Sequence, residues 1–267
     1  MCRRTNDDPL AKFFFNRYHL HLLAIPREGA AVGDCYIVTP KGILSPGPIA
    51  ELMLRGFKMP DIARDEMIAG LSNQVSDAVD LDAGFHLLGP FLAATGLGSM
   101  VGDAKASMQA KGARKLSFRL LDARRDSVSP LALGNALKGK RFDWNHPLIR
   151  QENKYLVTIG VIRTPSLTVV ATDDKGAKVA FGAEAVGAGG SANIAITSGS
   201  AGEITVNGGK PLAIAVELVE LGYDQQRDSF GIDAIEHYEL VRGGGDLPRP
   251  PAPLADELIL EATDWRE

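Results

Sequence analysis

Stretches of β-branched and apolar residues, separated by short turns, dominate the second half of this chain. Residues 155–172 form one such stretch, interrupted at Pro165, and residues 203–221 form another. Each stretch predicts two strands, with turns at residues 173–176 and 207–209. The helical patterns lie between hairpins and do not alternate with single strands, which argues against a parallel βαβ arrangement. We therefore expect an α+β fold with a twisted, mostly antiparallel central sheet and surrounding helices.

The first half of the chain mixes shorter strands with helical patterns. Residues 85–111 are rich in glycine and alanine, and glycine inside a helix costs about 1 kcal/mol relative to alanine. We therefore expect any helix in this segment to be loosely packed. The expected strands are residues 18–25, 34–39 and 115–122, and the expected helices are residues 48–56, 91–109 and 130–138.

A change in composition at residue 243 divides the chain. Three consecutive glycines precede a proline-rich segment that ends at residue 253, which is a pattern typical of a linker. The sequence therefore predicts a body of residues 1–242, a linker of residues 243–253 and a C-terminal peptide of residues 254–267. The apolar residues of this peptide suit one docking element, either a helix or a strand. They are Leu254, Leu258, Ile259, Leu260 and Trp265.

The net charge of −4 resides entirely in residues 243–267. This segment holds six acidic and two basic residues, which leaves 27 of each in residues 1–242. Such a body lacks the positive field that nucleic acid binding requires, so we expect no nucleic acid partner. It does contain a basic patch, which we expect to face an anionic membrane once the acidic peptide no longer covers it. The patch consists of Lys105, Lys111, Arg114 and Lys115.

The sequence shows no residue spacing typical of a catalytic or metal site. His19 and His21 are expected to share one face of a strand, but no cysteine or carboxylate cluster accompanies them. Cys35 lies in an apolar strand and is expected in the core. We therefore expect no enzyme activity, no metal and no cofactor.

The N-terminal sequence does not resemble an export signal, and by itself it is compatible with either an acylated or an unmodified Cys2. No apolar segment follows Arg3 and Arg4, and no apolar run reaches the roughly 18–20 residues of a membrane-spanning helix. Once the initiator methionine is removed, Cys2 becomes an N-terminal cysteine beside basic residues, which suits acylation. Two cysteines without an export signal also indicate the reduced thiols of a cytosolic protein.

The order of several motifs resembles the gasdermins, specifically the short bacterial ones. Cys2 stands at the extreme N-terminus, and the sequence VGDCYIV follows at residues 32–38. LSFRLLD at residues 116–122 leaves the small-residue region, and KYLVTIGVI at residues 154–162 enters the second hairpin region. The brief peptide after the body also matches the bacterial members, and the resemblance extends over essentially the whole chain.

This resemblance implies an autoinhibited pore-forming protein. A caspase-like protease would remove the C-terminal peptide, which inhibits the body through Leu254, Leu258, Ile259, Leu260 and Trp265. The body, a monomer until then, would oligomerise into large β-barrel pores among the membrane lipids and kill the cell in defence against phage. The resemblance also implies a palmitoyl group on Cys2. It places the chain in the cytoplasm when inactive and in the inner (plasma) membrane after cleavage.

The linker and the body each offer candidates for the steps of this mechanism. Because most proteases avoid a bond that precedes proline, the bonds Arg242–Gly243 and Asp246–Leu247 are the expected cleavage region. A membrane-spanning strand needs about 9–11 residues, so residues 85–121 and 155–218 are each long enough for one membrane hairpin.

Two other functions are compatible with the residues alone. One is a β-rich lipid- or protein-binding module without pore activity, whose C-terminal segment is an ordinary terminus. The other is a hydrolase with a site around His19, His21 or His146.

Overall fold

The fold is built around one antiparallel sheet with helices packed against it. The computed structural model describes residues 9–39, 42–54, 56–68, 71, 75–76, 78–141, 143, 146–150, 153–179, 195–198, 202–224 and 229–232. The elements follow in the order α1 (Pro9–Tyr18), β1 (His21–Arg27), β2 (Asp34–Thr39), β3 (Gly42–Pro48), α2 (Ile49–Leu52), β4 (Ala63–Met67), β5 (Val79–Asp80), α3 (Leu81–Ala94), a 3-10 helix (Gly98–Met100), α4 (Val101–Ala110), β6 (Lys115–Leu121), β7 (Arg124–Ser127), α5 (Pro130–Leu137), β8 (Lys154–Thr172), β9 (Ala195–Ser198), β10 (Glu203–Asp224) and β11 (Ser229–Ile232).

Two long strands, β8 and β10, form the centre of the sheet, and we call this pair the spine. β8 has 19 residues and β10 has 22. They pair antiparallel from Glu203 opposite Val170 at one end to Leu221 opposite Tyr155 at the other. The side chains of β8 enter hydrophobic clusters on both faces of the sheet. Because both faces are buried, the sequence of β8 is almost continuously apolar instead of alternating.

Short strands line both outer edges of the spine. Along β8, the neighbours are β2 at residues 154–157, β7 at 160–163 and β6 at 166–172. Along β10, the neighbours are β11 at residues 221–224, β1 at 213–216 and β9 at 204–207. β3, β4 and β5 then pair with β2, β7 and β6 respectively. All the remaining strands of the described sheet therefore attach to the spine, either directly or through one neighbouring strand.

The helices cover the sheet in two groups. α3 and α4 contribute Phe85, Phe91 and Met108 to the largest hydrophobic cluster, which also contains Phe118 from β6. α2 and α5 cover a second cluster with Leu52 and Leu133, and Cys35 from β2 lies within it. α5 begins with Ser129, whose hydroxyl accepts a hydrogen bond from the amide of Ala132, and Pro130 occupies its first turn.

The outer strands carry residues that hinder pairing with another chain. Pro26 lies in β1, and Pro46 and Pro48 lie in β3. Proline has no N–H group to donate to a neighbouring strand. All five residues of β4 are exposed, and Asp65 within it has a φ of 57°, which interrupts a regular strand. Charged side chains and irregular backbone make this strand a poor template for pairing.

The structure confirms the α+β class but joins strands that the sequence analysis separates. Pro165 does not end a strand, and β8 continues through it. The predicted turn at residues 207–209 is wrong because these residues lie inside β10. Gly209 has a φ of 69°, so the glycines form an irregularity within the strand and not a reversal of the chain. The strand predicted at residues 34–39 is confirmed as β2.

The helices differ more from the prediction. α1 spans Pro9–Tyr18, where the sequence predicts no helix, so the first strand starts at His21 and not at residue 18. The helix expected at residues 91–109 is two helices, because α3 begins ten residues earlier and stops at Ala94. Pro90 lies inside α3, and tertiary packing overrides its helix-breaking tendency. The helix expected at residues 48–56 shortens to α2, since β3 takes the residues before it.

Candidate functional site

The segment between β5 and β6 has an unusual combination of burial and weak helix propensity. α3 buries Leu81, Phe85, Leu88 and Leu92 along one face, in the spacing of an amphipathic helix. It also contains Gly84, Gly89 and Pro90 in its interior. Glycine disfavours a helix by about 1 kcal/mol and proline by about 3 kcal/mol relative to alanine. Packing against the sheet, and not intrinsic propensity, therefore holds α3 in place.

α3 lies very close to the sheet at two points. A Cβ atom at Gly84 would be 2.8 Å from Cδ1 and 2.9 Å from Cβ of Leu116 in β6, so only glycine permits this approach without movement. At the other end of the helix, Thr95 follows the last residue of α3 and covers Gly208 in β10. A Cβ atom at Gly208 would lie 2.8 Å from Cγ2 of Thr95. α3 thus contacts both sides of the spine.

α4 is held less firmly than α3. Of its ten residues only Ala104 and Met108 are buried. Lys105 forms an ion pair with Asp82 of α3 at 2.7 Å, and its Nζ lies 5.9 Å from the ring centroid of Phe85. The Asp82 side chain is largely exposed, so the pair contributes little to stability. α4 is therefore a short helix attached to α3 by few buried groups.

A partly buried ion pair crosses β8 and joins β10 to β7. Glu217 of β10 stands opposite Gly160 of β8, and Gly160 in turn stands opposite Ser127 of β7. The Glu217 side chain passes over Gly160 and forms an ion pair with Arg125 of β7. A Cβ atom at Gly160 would lie 2.6 Å from Oε2 of Glu217. The missing side chain at Gly160 is what allows the carboxylate to reach across one strand to the next.

Burial governs the electrostatics of this ion pair. Desolvation raises the pKa of Glu217 above its ordinary value, and the Arg125 guanidinium opposes that rise only in part. Nε of Arg125 is buried and has no hydrogen-bond partner among the described residues. A second ion pair lies nearby. Arg163 of β8 pairs with Asp126 of β7 and also donates to the carbonyl oxygen of Ala30. Two ion pairs therefore link β7 to the spine.

The Glu217–Arg125 pair lines a surface cavity of about 420 Å³. The other walls come from the end of α1, from β4, from the residues after each of them, and from Ile162 of β8. They include Tyr18, Leu20, Met67, Ile68 and Leu71.

The predicted basic patch lies on α4 and on the turn that leads into β6. Lys111 and Arg114 are exposed, and Lys115 begins β6. Within the described part of the chain these three residues have no ion-pair partner, whereas Lys105 is paired with Asp82. The predicted patch thus extends from the middle of α4 to the start of β6.

The remaining predicted site residues lie outside the described residues, and the predictions for them stay open. They are the acylation residue Cys2, the cleavage-region residues Arg242, Gly243, Asp246 and Leu247, and the inhibitory residues Leu254, Leu258, Ile259, Leu260 and Trp265.

The histidines within the described ranges do not form a site. His19 precedes β1 with a φ of 54°, so it does not share a strand face with His21 as expected. Both rings contact Phe15, with ring centroids 6.0 Å and 5.1 Å away. Nδ1 of His146 accepts a hydrogen bond from the amide of Leu148. Across the described ranges no three His, Cys, Asp or Glu side chains gather as a metal site would require.

Neither a reactive thiol nor a membrane-spanning helix occurs in the described residues. Cys35 is fully buried, as predicted, and burial raises the pKa of its thiol to about 12, so it is an unreactive core residue. None of the helices in the described residues is long and apolar enough to cross a membrane.

Comparison with known proteins identifies the family. The model of the Bacterial Gasdermin Family matches residues 23–230, from β1 into β11, and this range includes the α3–α4 segment and the Glu217–Arg125 pair. The chain belongs to the bacterial gasdermin family. It is 27% identical over 169 residues to Gasdermin bGSDM of Vitiosangium sp. (strain GDMCC 1.1324), a match that covers 61% of this chain and 62% of that relative. The matched region thus spans less than two thirds of the relative's length.

A solved structure supports the fold assignment independently. The chain resembles the structure of a bacterial gasdermin from Bradyrhizobium tropiciagri with a TM-score of 0.61 and 17% sequence identity. The superposition covers 82% of this chain and 88% of that one. At this level of identity the likeness establishes the gasdermin fold and no more.

Family membership confirms the resemblance seen in the sequence. Gasdermins are pore-forming proteins and not enzymes, so the prediction of no enzyme activity is also confirmed.

Sequence reasoning missed the Glu217–Gly160–Arg125 arrangement. Arg125 and Glu217 are 92 residues apart, and nothing near either residue indicates a partner. The available signal was Gly160 itself, a glycine in the middle of an otherwise β-branched and apolar run. Such a glycine indicates a close approach by another group.

We expect Gly160→Ala to displace the Glu217 carboxylate and lower the free energy of unfolding by about 1–3 kcal/mol, as measured by urea denaturation. Gly102→Ala in α4 is the matched control, because no atom lies within 4 Å of its Cβ position. Alanine there should stabilise the helix by up to about 1 kcal/mol. Equal effects of the two substitutions would contradict the passage of Glu217 over Gly160.

The raised pKa of Glu217 predicts a pH dependence of stability. The folded state binds the carboxyl proton more tightly than the unfolded state, in which the pKa is near 4.5. This contribution to stability is therefore complete below pH 4.5 and is lost as the pH rises through the raised folded value.

Urea unfolding at a series of pH values tests this sign. The difference in free energy of unfolding between the parent chain and Glu217→Gln should fall as the pH increases through that window. A Glu217 carboxyl resonance that titrates at or below the ordinary value in an NMR pH series would rule the effect out.

Proposed function

We propose that this gasdermin is an autoinhibited pore-forming protein whose body inserts into membranes after its C-terminal peptide has been removed. The family match over residues 23–230 is the observation that carries this proposal. The divisions predicted from the sequence then acquire functions: residues 1–242 as the pore-forming body, 243–253 as a cleavable linker and 254–267 as the inhibitory peptide.

The α3–α4 segment supplies the first membrane hairpin. It lies between β5 and β6, which already pair antiparallel in the sheet. The thirty residues 81–110 from the start of α3 to the end of α4 exceed the length of two spanning strands of about 9–11 residues each. Gly84, Gly89 and Pro90 lower the free energy lost when α3 unwinds. The second hairpin comes from β8 and β10, which are longer than one membrane crossing requires.

The basic residues next to this segment favour an anionic membrane. Lys111, Arg114 and Lys115 lack ion-pair partners in the described part of the chain. Each Lys or Arg near an anionic surface contributes about 1 kcal/mol of attraction. Residues 243–267 carry the whole net charge of −4, which an anionic membrane repels. Release of the peptide removes this negative charge and therefore strengthens the attraction.

Activation requires a cut in the linker. We assign it to Arg242–Gly243 or Asp246–Leu247, made by a caspase-like protease, and we assign the inhibitory contact to the apolar residues from Leu254 to Trp265. The chain is then monomeric in the cytoplasm before the cut. It is oligomeric in the inner membrane afterwards, where the pores cause cell death as a defence against phage.

Cleavage of the full chain tests the proposal. A recognition sequence for a sequence-specific protease is inserted between Arg242 and Leu247, and dye release from vesicles of anionic phospholipid is recorded. We expect release only after cleavage, because the peptide must leave before the body inserts. The parent chain without the inserted sequence, treated with the same protease, is the control. Intact vesicles after a verified cut would overturn the proposed function in favour of a binding module.

A disulfide between α3 and β6 sharpens this test. Gly84→Cys with Leu116→Cys places two cysteines on the closest contact between helix and sheet. A small outward shift brings their Cβ atoms to the roughly 3.5–4.5 Å that a disulfide needs. The oxidised variant should be cut without releasing dye, and reduction should restore release. Undiminished release in the oxidised form would exclude α3 as a membrane hairpin.

We also propose that Cys2 carries a palmitoyl group. One acyl chain gives only weak, reversible attachment to a membrane, so it holds the body near the bilayer without inserting it. Intact mass of the chain from its native cells should show one palmitoyl group, which Cys2→Ala removes and Cys35→Ala retains. An unmodified N-terminus in those cells would contradict this role of Cys2.

A further inference from the structure

Both strands of the spine are interrupted at the same level. Asn207 stands opposite Ser166, and the next paired residues are Leu212 and Thr164. Between these two rungs β8 has Pro165 alone, whereas β10 has residues 208–211. The regular ladder therefore stops on both strands at once.

The flanking strands are also interrupted at this level. On the β8 edge, β6 ends at Leu121 opposite Ser166, and β7 begins at Arg124 opposite Arg163. Asp122 between them has a φ of 50°, which turns the backbone away from a regular strand. On the β10 edge, the pairing with β9 ends at Asn207 and the pairing with β1 begins at Ala213. We call this line, formed by residues 122–123, Pro165 and residues 208–211, the seam.

Side chains replace part of the backbone ladder at the seam. Pro165 and Pro211 have no N–H group to donate. Oγ1 of Thr164 lies 2.6 Å from the carbonyl oxygen of Leu121 and 2.7 Å from that of Ser166. The Ser166 hydroxyl donates to Oδ1 of Asn207. The Thr164 hydroxyl thus links the two sides of the seam, while the Ser166–Asn207 bond joins β8 to β10 on one side of it.

The seam divides the sheet into two halves of different composition. The upper half contains β5, β6, β9, residues 166–172 of β8 and residues 203–207 of β10. The lower half contains the remaining strands with residues 154–164 of β8 and 212–224 of β10. The two ion pairs between β7 and the spine, Glu217–Arg125 and Arg163–Asp126, belong to the lower half. Ionic links therefore fasten the lower half across its strands close to the seam.

α3 is the element that bridges the two halves. It contacts β1 in the lower half and β6 in the upper half. One hydrophobic cluster accordingly joins Leu22 and Leu212 below the seam with Phe118 and Val169 above it. Beyond its last residue, Thr95 covers Gly208 within the seam itself. While α3 stays on the sheet, it holds the halves in one arrangement.

We propose that the seam is a hinge, and that the upper half opens as a unit separate from the lower half once α3 no longer bridges them. This inference deepens the proposed function, because it assigns which part of the body moves and which part keeps its fold. Only its leakage measurement rests on that function. The opening itself can be measured in the uncleaved chain, where it occurs transiently whenever α3 leaves the sheet.

Amide hydrogen exchange of the uncleaved full chain tests the hinge. Protection should change stepwise along each spine strand, with residues 166–172 and 203–207 exchanging together and faster than residues 154–163 and 212–224. Gly208→Ala places a Cβ atom 2.8 Å from Cγ2 of Thr95 and loosens the closed seam. Exchange in the upper half should then accelerate about tenfold while the lower half stays unchanged.

Two further variants separate the hinge from a general loss of stability. Thr95→Ser keeps the hydroxyl that bonds to the carbonyl oxygens of Phe91 and Leu92 and removes the methyl group that meets residue 208. Combined with Gly208→Ala, it should return exchange in the upper half towards the parent rate. Gly102→Ala, whose Cβ position is open, should accelerate exchange in neither half.

Uniform protection along β8 and β10 across the seam would overturn the hinge, as would equal acceleration of both halves by Gly208→Ala. After cleavage, Gly208→Ala should also shorten the lag before vesicle leakage, and an unchanged lag in a chain that does leak would count against the hinge. If the parent chain does not leak at all, the proposed function fails, and hydrogen exchange still decides the hinge.

Discussion

The antiparallel pairing of β8 with β10 is the constraint on which the rest of the structure depends. All the other strands of the described sheet attach to one of these two, directly or through a single neighbour. A shift of their register by one residue would turn every buried side chain of the spine to the opposite face. The spine also sets the distance that Glu217 must cover to meet Arg125, so the partly buried ion pair exists only in this register.

α3 depends on the spine in a different way. Its sequence would make a poor isolated helix, yet its apolar face is buried almost completely against β1 and β6. The favourable free energy of packing on the sheet therefore outweighs the unfavourable helix propensity of the sequence. Removing the helix from the sheet leaves a segment with little preference for the helical state, and a membrane offers its apolar side chains another place to be buried.

The sequence was most informative where local pattern and tertiary environment agree. β2 and α5 have the bounds expected within one residue, because turn and cap residues enclose them. Pro165 and residues 207–209 are typical of strand ends, but in the irregular spine they lie inside β8 and β10. Of the candidate site, the glycine-rich character of the α3–α4 segment and its basic residues were visible. The contacts of Gly84, Thr95 and Gly160 were not, because their partners are distant in the chain.

The prolines and charges on the outer strands have a consequence for encounters between copies of this protein. Identical copies of a β-rich chain meet often in a crowded cell, and an open strand edge on one copy invites a strand from the next. Pro26 in β1, Pro46 in β3 and the exposed charges of β4 leave such an encounter few matched hydrogen bonds to form. These features therefore disfavour strand pairing between copies of the chain.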